Sequence, residues 1–333
     1  MKKNQNEVPS FVELGVELGN PNLGTEIIDC SDDFFADRHR LLNPDPPVFI
    51  EGKYDDHGKW MDGWESRRRR NNGHDYLVIK LGQPSILFGV NIDTSFFTGN
   101  FPSAASLEGT YCDTELDDNT EWVSLINITE LEGDSHHLLE IDNRGVWTHL
   151  RFNIFPDGGV ARLRLYGRIF CDWEARDKTK VYDLACILNG GRAIGWNDAH
   201  FGHPSNMLSP GDGRNMGDSW ETRRRREPGF DWCVIELGYP CLVEEIIVDT
   251  SFFIGNFPDS FSIQAASIVN STRQSLVTQS IYWEELLPSS KLEMNMKNRI
   301  KVNNQKIGAI NYIRLNIFPD GGVSRLRVLG KMT

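Results

Sequence analysis

The chain has 333 residues, a quarter of them charged, with a formal net charge of −12 and a pI near 5.2. Such a chain repels polyanions outside a local basic patch, which excludes nucleic acid and anionic membrane as partners; a small anionic substrate would need a dedicated cluster of cations. The length suits two domains of about 150 residues, each large enough to bury its own core.

Residues 1–25 mix Gly, Asn, Pro and acidic side chains and read as a tail that leans on the first domain or stays mobile. The opening Met1–Glu7 has no apolar run after its lysines, and no later stretch approaches a membrane span, so the chain reads as a soluble cytoplasmic protein with no membrane partner. From Ile27 to Met61 the chain is loop-rich, broken by Asn43-Pro44-Asp45-Pro46-Pro47. Period-two alternation then predicts a strand over Asp75–Gly82, a turn at Gln83-Pro84 and a second strand over Ile86–Asp93. In the next predicted strand Leu150, Phe152 and Ile154 face one side and Arg151 and Asn153 the other, before Pro156-Asp157-Gly158-Gly159 turns the chain into a strand with Leu163 and Leu165 opposite Arg162 and Arg164. Charge-dense residues 170–183 read as a linker, and 184–333 read like 26–169. With no helix of three turns in either part, the pattern predicts an all-β protein of two antiparallel sandwiches or jelly rolls.

The two parts are copies. Gly63-Trp64-Glu65-Ser66-Arg67-Arg68-Arg69-Arg70 recurs as Ser219-Trp220-Glu221-Thr222-Arg223-Arg224-Arg225-Arg226, and residues 63–103 match 219–259 at 22 of 41 positions, which establishes an internal duplication. The block Arg151–Arg164 recurs as Arg314–Arg327 at an offset seven residues larger, so the second copy carries a seven-residue insertion of the kind surface loops accept. Six cysteines (Cys30, Cys112, Cys171, Cys186, Cys233 and Cys241) occupy no equivalent positions in the two copies, and no pair has metal-type spacing; they read as free thiols of a reducing compartment.

Several residues can carry chemistry. If the arginine run is extended, Arg67 shares a face with Arg69 and Arg68 with Arg70, so that one pair can point to a pocket while the other meets solvent; Arg223 and Arg225 are the second-copy equivalents of the first pair. Such a run is a solvated, salt-bridged face, an import signal, or a fork for a carboxylate, and its retention as Arg in both copies favours the fork. Glu65 and Glu221 are partners for a guanidinium or site carboxylates. The loop Asp93–Pro102 recurs at Asp249–Pro258 with one difference, more fidelity than turn chemistry requires, which makes Asp93 and Asp249 candidates; Asp157 and Asp320 sit in Asp-Gly-Gly segments that a tight turn explains fully. His74 is replaced by Phe230 in the second copy, and His200 and His203, aligned roughly with Phe35 and Arg38, follow no recognisable metal motif. Divalent metal is possible, but no spacing demands it.

Lys59-Trp60-Met61-Asp62-Gly63-Trp64-Glu65 with its arginines, Gly73-His74-Asp75, Asp93–Asn100, Asp198–Pro204 and both Asn-Ile-Phe-Pro-Asp-Gly-Gly blocks resemble the allantoicase (allantoate amidinohydrolase) family over nearly the whole chain beyond the tail. The resemblance implies two tandem jelly rolls akin to galactose-binding-like modules, a homo-oligomer, and hydrolysis of allantoate to ureidoglycolate and urea in purine degradation. It also implies a histidine at Phe96 and Phe252, where this chain has phenylalanine, so a mechanism resting on those histidines does not carry over. Allantoate bears one carboxylate and two ureido groups on one carbon. On that reading Arg67 and Arg69, or Arg223 and Arg225, hold the carboxylate; Asn153, Asp157, Asn316 and Asp320 contact the ureido groups; Glu65, His74, Asp93, Glu221 and Asp249 are candidates for proton transfer. The competing reading is a non-catalytic jelly-roll module that binds carbohydrate or a partner protein.

Overall fold

A computed structural model describes residues 8–302 and 307–333, so Met1–Glu7 lie outside the described residues. The chain forms two compact units that meet between Phe170 and Cys171. In the first, the 19-residue strand Asp75–Asp93 is the organising element. Its first half pairs with Glu26–Cys30 and Trp147–Phe155, and the sheet continues through Ala104–Thr110 to Val123–Glu130. Its second half pairs with His136–Glu140 and Arg162–Ile169. All these pairings are antiparallel, and one strand thus belongs to both layers of the sandwich. In the second unit Asp231–Asp249 does the same, pairing with Arg192–Trp196 and Ile310–Phe318 and then with Lys297–Lys301 and Arg325–Met332. Both repeats are antiparallel all-β sandwiches.

The predicted turn at Gln83-Pro84 is not a reversal. The strand runs on, and its register with Trp147–Phe155 jumps from Lys80, opposite His149, to Ser85, opposite Trp147. Pro84 has no N–H to give a ladder, while its carbonyl accepts from the Phe170 amide at 2.8 Å. This irregularity supplies the bend that takes the strand between layers. Alternation does hold in the core: Leu77, Ile79, Leu150, Phe152, Ile154, Leu163 and Leu165 are fully buried. Arg162, on the other side of its strand from Leu163, is buried as well. Its guanidinium donates to Asp62 at 2.7 Å and to the Asp45 and Asp62 carbonyls. Arg325 holds Asp218 in the same way at 2.8 Å.

The expected tail joins the first unit from Ser10 onwards. Ser10–Leu14 is a short helix with Phe11 buried, and Val16 pairs with Gly167. The expected linker belongs to the second unit at its C-terminal end, where Val181–Asp183 pairs with Arg325–Met332 and buried Trp173 packs on Tyr182 and Tyr239. Edge pairing needs only two or three residues, too few for any periodicity to announce. Most of the second copy's extra length lies between Ala266 and Glu284, where it includes the helix Arg273–Gln279.

Glu17, on that N-terminal edge strand, is held 3.8 Å from Arg164, yet burial raises its carboxyl pKa to about 7. The folded state therefore keeps a proton that the unfolded chain releases near pH 4.5, and stability contributed by the protonated group is lost as pH rises from there to 7. Glu17→Gln is expected to raise stability above pH 7 by on the order of 1 kcal/mol, with no gain below pH 4.5; urea titrations at pH 4 and pH 8 measure both limits.

Candidate active site

Trp64–Glu65 pairs with Gly159–Val160 in a two-stranded ladder beside the main sheet, and Ala36 bridges Glu65 from the other side. Glu65 is thereby fixed from both flanks. The Asp-Gly-Gly turn lies against it. Gly158 has φ +137°, which only glycine adopts readily, and a Cβ on Gly159 would lie 2.0 Å from the Phe97 ring. The tight turn therefore explains both glycines. Asp157 does more, since its carboxylate accepts from the Arg69 amide at 2.9 Å.

Beyond Glu65 the arginine run leaves the ladder and has no regular secondary structure. Arg67 turns to Asp32, with its amide on Oδ1 at 2.8 Å and its Nη2 on Oδ2 at 2.6 Å. Arg69 pairs with buried Asp75 and donates to the His74 carbonyl. Arg67 and Arg69 are thus each paired with an acid of the chain, Asp32 and Asp75. Among the described residues Arg68 has no hydrogen-bond or ion-pair partner, and it lines a cavity of about 510 Å³ with Phe35, Glu65, Asn100, Phe101 and Asp157. Asn100 donates to Glu65 at 2.7 Å. Burial raises the Glu65 carboxyl above its ordinary pKa, while the Asn100 hydrogen bond and the Lys59 charge pull it down.

The second repeat builds the same cavity, about 560 Å³, from Phe201, Glu221, Arg224, Asn256, Phe257 and Asp320. Arg223 pairs with Asp198, Arg225 with Asp231, the Arg225 amide with Asp320, and Asn256 with Glu221. Between the two linings one exchange of charge stands out: Ser103 of the first is Asp259 in the second.

Of the residues singled out in the sequence, Glu65, Arg69 and Asp157, with Glu221, Arg225 and Asp320, are brought together here. The others are not. Asp93 and Asp249 are buried and accept from the amides of Ser95 and Ser251, each at 2.8 Å, holding the start of their loop. Asn153 is buried in the sheet, giving both amide hydrogens to Ser106 and Glu108, and Asn316 does the same with Ser262 and Gln264. His74 packs on Phe155 and contacts Asn153 at 3.3 Å. The bridge of Gly202 to Glu221 places Phe201, not His200, opposite Phe35. His203 faces Trp196, accepts from the Ser205 amide at 3.1 Å and is held neutral by burial, its pKa pushed down to about 4. Among the described residues no three His, Cys, Asp or Glu side chains converge as ligands of one ion. Arg68 was weighed in the sequence only as the alternative to Arg67 and Arg69, and Asn100, Phe101 and Phe35 were missed; the near-perfect repetition of the Asp93–Pro102 loop was the signal for Asn100 and Phe101.

The family model for the allantoicase repeat matches residues 16–170 and again 182–333. The chain belongs to the allantoicase family. A probable allantoicase of Pseudomonas fluorescens is 56% identical over 321 residues, covering 96% of this chain and 97% of the relative. Probable allantoicase 1 of Burkholderia mallei is 50% identical over 325 residues, covering 97% and 96%. The crystal structure of Saccharomyces cerevisiae allantoicase aligns with a TM-score of 0.80 at 34% identity over 95% of this chain and 93% of that one. This allantoicase-family chain thus carries the family's repeat twice, each copy with its own arginine-and-carboxylate pocket, and the non-catalytic alternative is not favoured.

Proposed function

We propose that the protein hydrolyses allantoate to ureidoglycolate and urea, and that the paired pockets are where it does so. Membership of the allantoicase family supports the reaction. The observation that supports the place is a guanidinium, Arg68 or Arg224, with no hydrogen-bond or ion-pair partner among the described residues, lining a pocket with a carboxylate whose neighbours are an asparagine and a second carboxylate. The guanidinium takes the substrate carboxylate in a fork, and Asn100 or Asn256 and nearby polar groups take the ureido groups. Glu65, kept protonated to higher pH by burial, gives its proton to the departing ureido nitrogen. Asp157 receives the proton of the water that attacks the central carbon. The C–N bond breaks, the C–O bond forms, and one water is consumed. Arg69 and Arg225 hold the loop rather than the substrate.

The direct test is urea release from allantoate by the purified protein, before and after chelation. Release is expected in the untreated protein, and loss of about 100-fold or more in kcat/KM in the Arg68→Ala, Arg224→Ala double variant. Full activity in that variant would move the site elsewhere, and loss on chelation restored by a divalent ion would add a metal to it. Homo-oligomeric assembly and a cytoplasmic location belong to the same proposal. The six cysteines are free thiols, as suits a reducing compartment. Light scattering and cell fractionation test the two points.

A further inference from the structure

The walls of the two pockets are almost the same. Of the twelve residues that line each cavity, ten are identical at matching places in the repeat; the exceptions are Ser66 against Thr222, which differ by a methyl group, and Ser103 against Asp259, which differ by a charge. The backbone holds that last pair alike. The Ser103 carbonyl accepts from the Leu131 amide at 3.0 Å and the Asp259 carbonyl from the Leu292 amide at 3.1 Å, each just ahead of the strand that starts at Ala104 or Ser260. Both side chains are exposed.

The neighbouring strand differs with them. Glu130 lies opposite Ala104 in the first repeat, and Lys291 lies opposite Ser260 in the second. Lys291 donates to both carboxylate oxygens of Asp259 at 2.6 Å, which holds that carboxyl below its ordinary pKa and ionised at neutral pH. The ion pair is exposed, so water and salt screen it. Asp259 lines the cavity, whereas Lys291 stands outside the lining. An anion in the second pocket therefore meets the carboxylate as the nearer charge, and the ammonium behind it offsets only part of the repulsion.

We propose that this position sets the affinity of each pocket for its anionic ligand, with Ser103 leaving the first pocket the tight site and Asp259 making the second a weak one. The inference rests on the reading that these pockets take allantoate. Arg68 and Arg224 then offer the same guanidinium to the substrate carboxylate, and the sites differ by the carboxylate that shares the second wall. A chain so built keeps gaining occupancy after its first pocket has filled.

The test is calorimetric titration of allantoate into the full chain carrying Glu65→Gln and Glu221→Gln, so that ligand is bound and not consumed. Adding Arg224→Ala reports the first pocket and adding Arg68→Ala the second; the first is expected to bind about 3- to 10-fold more tightly, with the gap narrowing as salt rises. Asp259→Ser should bring the second pocket within about twofold of the first, and Lys291→Gln should weaken it further. Ser103→Asp should weaken the first pocket by at least the original gap, because Glu130 stands where the balancing cation would be needed. All three side chains are exposed, so none of these changes disturbs the core. Equal affinities in the two single-pocket chains, or an unmoved second pocket in Asp259→Ser, overturns the inference while the pocket reading stands. Binding that neither Arg68→Ala nor Arg224→Ala weakens overturns the pocket reading instead.

Discussion

Replacing Glu65 and Glu221 together by glutamine is expected to lower kcat for urea release by roughly 100- to 10,000-fold while the protein stays folded. The glutamine side chain keeps the acceptor that Asn100 or Asn256 addresses, so the pocket retains its shape and loses the transferable proton. Burial raises the Glu65 pKa, and an acid must be protonated to act. The kcat/KM of the wild type should accordingly fall as pH rises through that raised pKa, and any residual rate of the double variant should lack this limb. Melting temperature near pH 8 should not fall, because ionised Glu65 is the form that burial disfavours. The single variants divide the activity between the repeats. A double variant with kcat within threefold of wild type would remove these carboxylates from the chemistry.

The second large effect is on stability. Asp75 is almost wholly buried and is held by Arg69 and by the Ser31 hydroxyl at 3.0 Å. Removing one partner of such a pair leaves the other charge uncompensated. Asp75→Ala is expected to destabilise the first repeat by about 3 kcal/mol, lowering its calorimetric transition by roughly 6–12 °C, with the second repeat's transition unmoved. Substituting both partners, as Arg69→Met with Asp75→Leu, should recover much of the loss. A shift of less than about 1 kcal/mol in Asp75→Ala would mean that the pair is not what holds the arginine loop.

The duplication, the all-β architecture and the family were legible in the sequence because they rest on local facts. Trp-Glu followed by four arginines is rare enough to recognise twice, and alternation at Leu150, Phe152 and Ile154 needs only the pleat of one strand. Linker and turn were read less well, because Val181 and the bend at Pro84 owe their places to partners far away in the chain.

At the site the division is sharper. The sequence alone singled out Glu65, Asp157 and the arginine run, and marked the Asp93–Pro102 loop as too well repeated for a mere turn. It could not say which arginine would line the pocket unpaired. That depends on Asp75, a few residues along the chain, taking Arg69, and on Asp32 taking Arg67, which only the folded sheet brings to the run. It equally could not tell Asp93, which ties down its own loop, from Asn100 seven residues later, which reaches Glu65. Residue type and spacing determine what chemistry a chain can offer; which groups are left unpaired to offer it is settled by contacts between segments distant in sequence, and those exist only once the layers have packed.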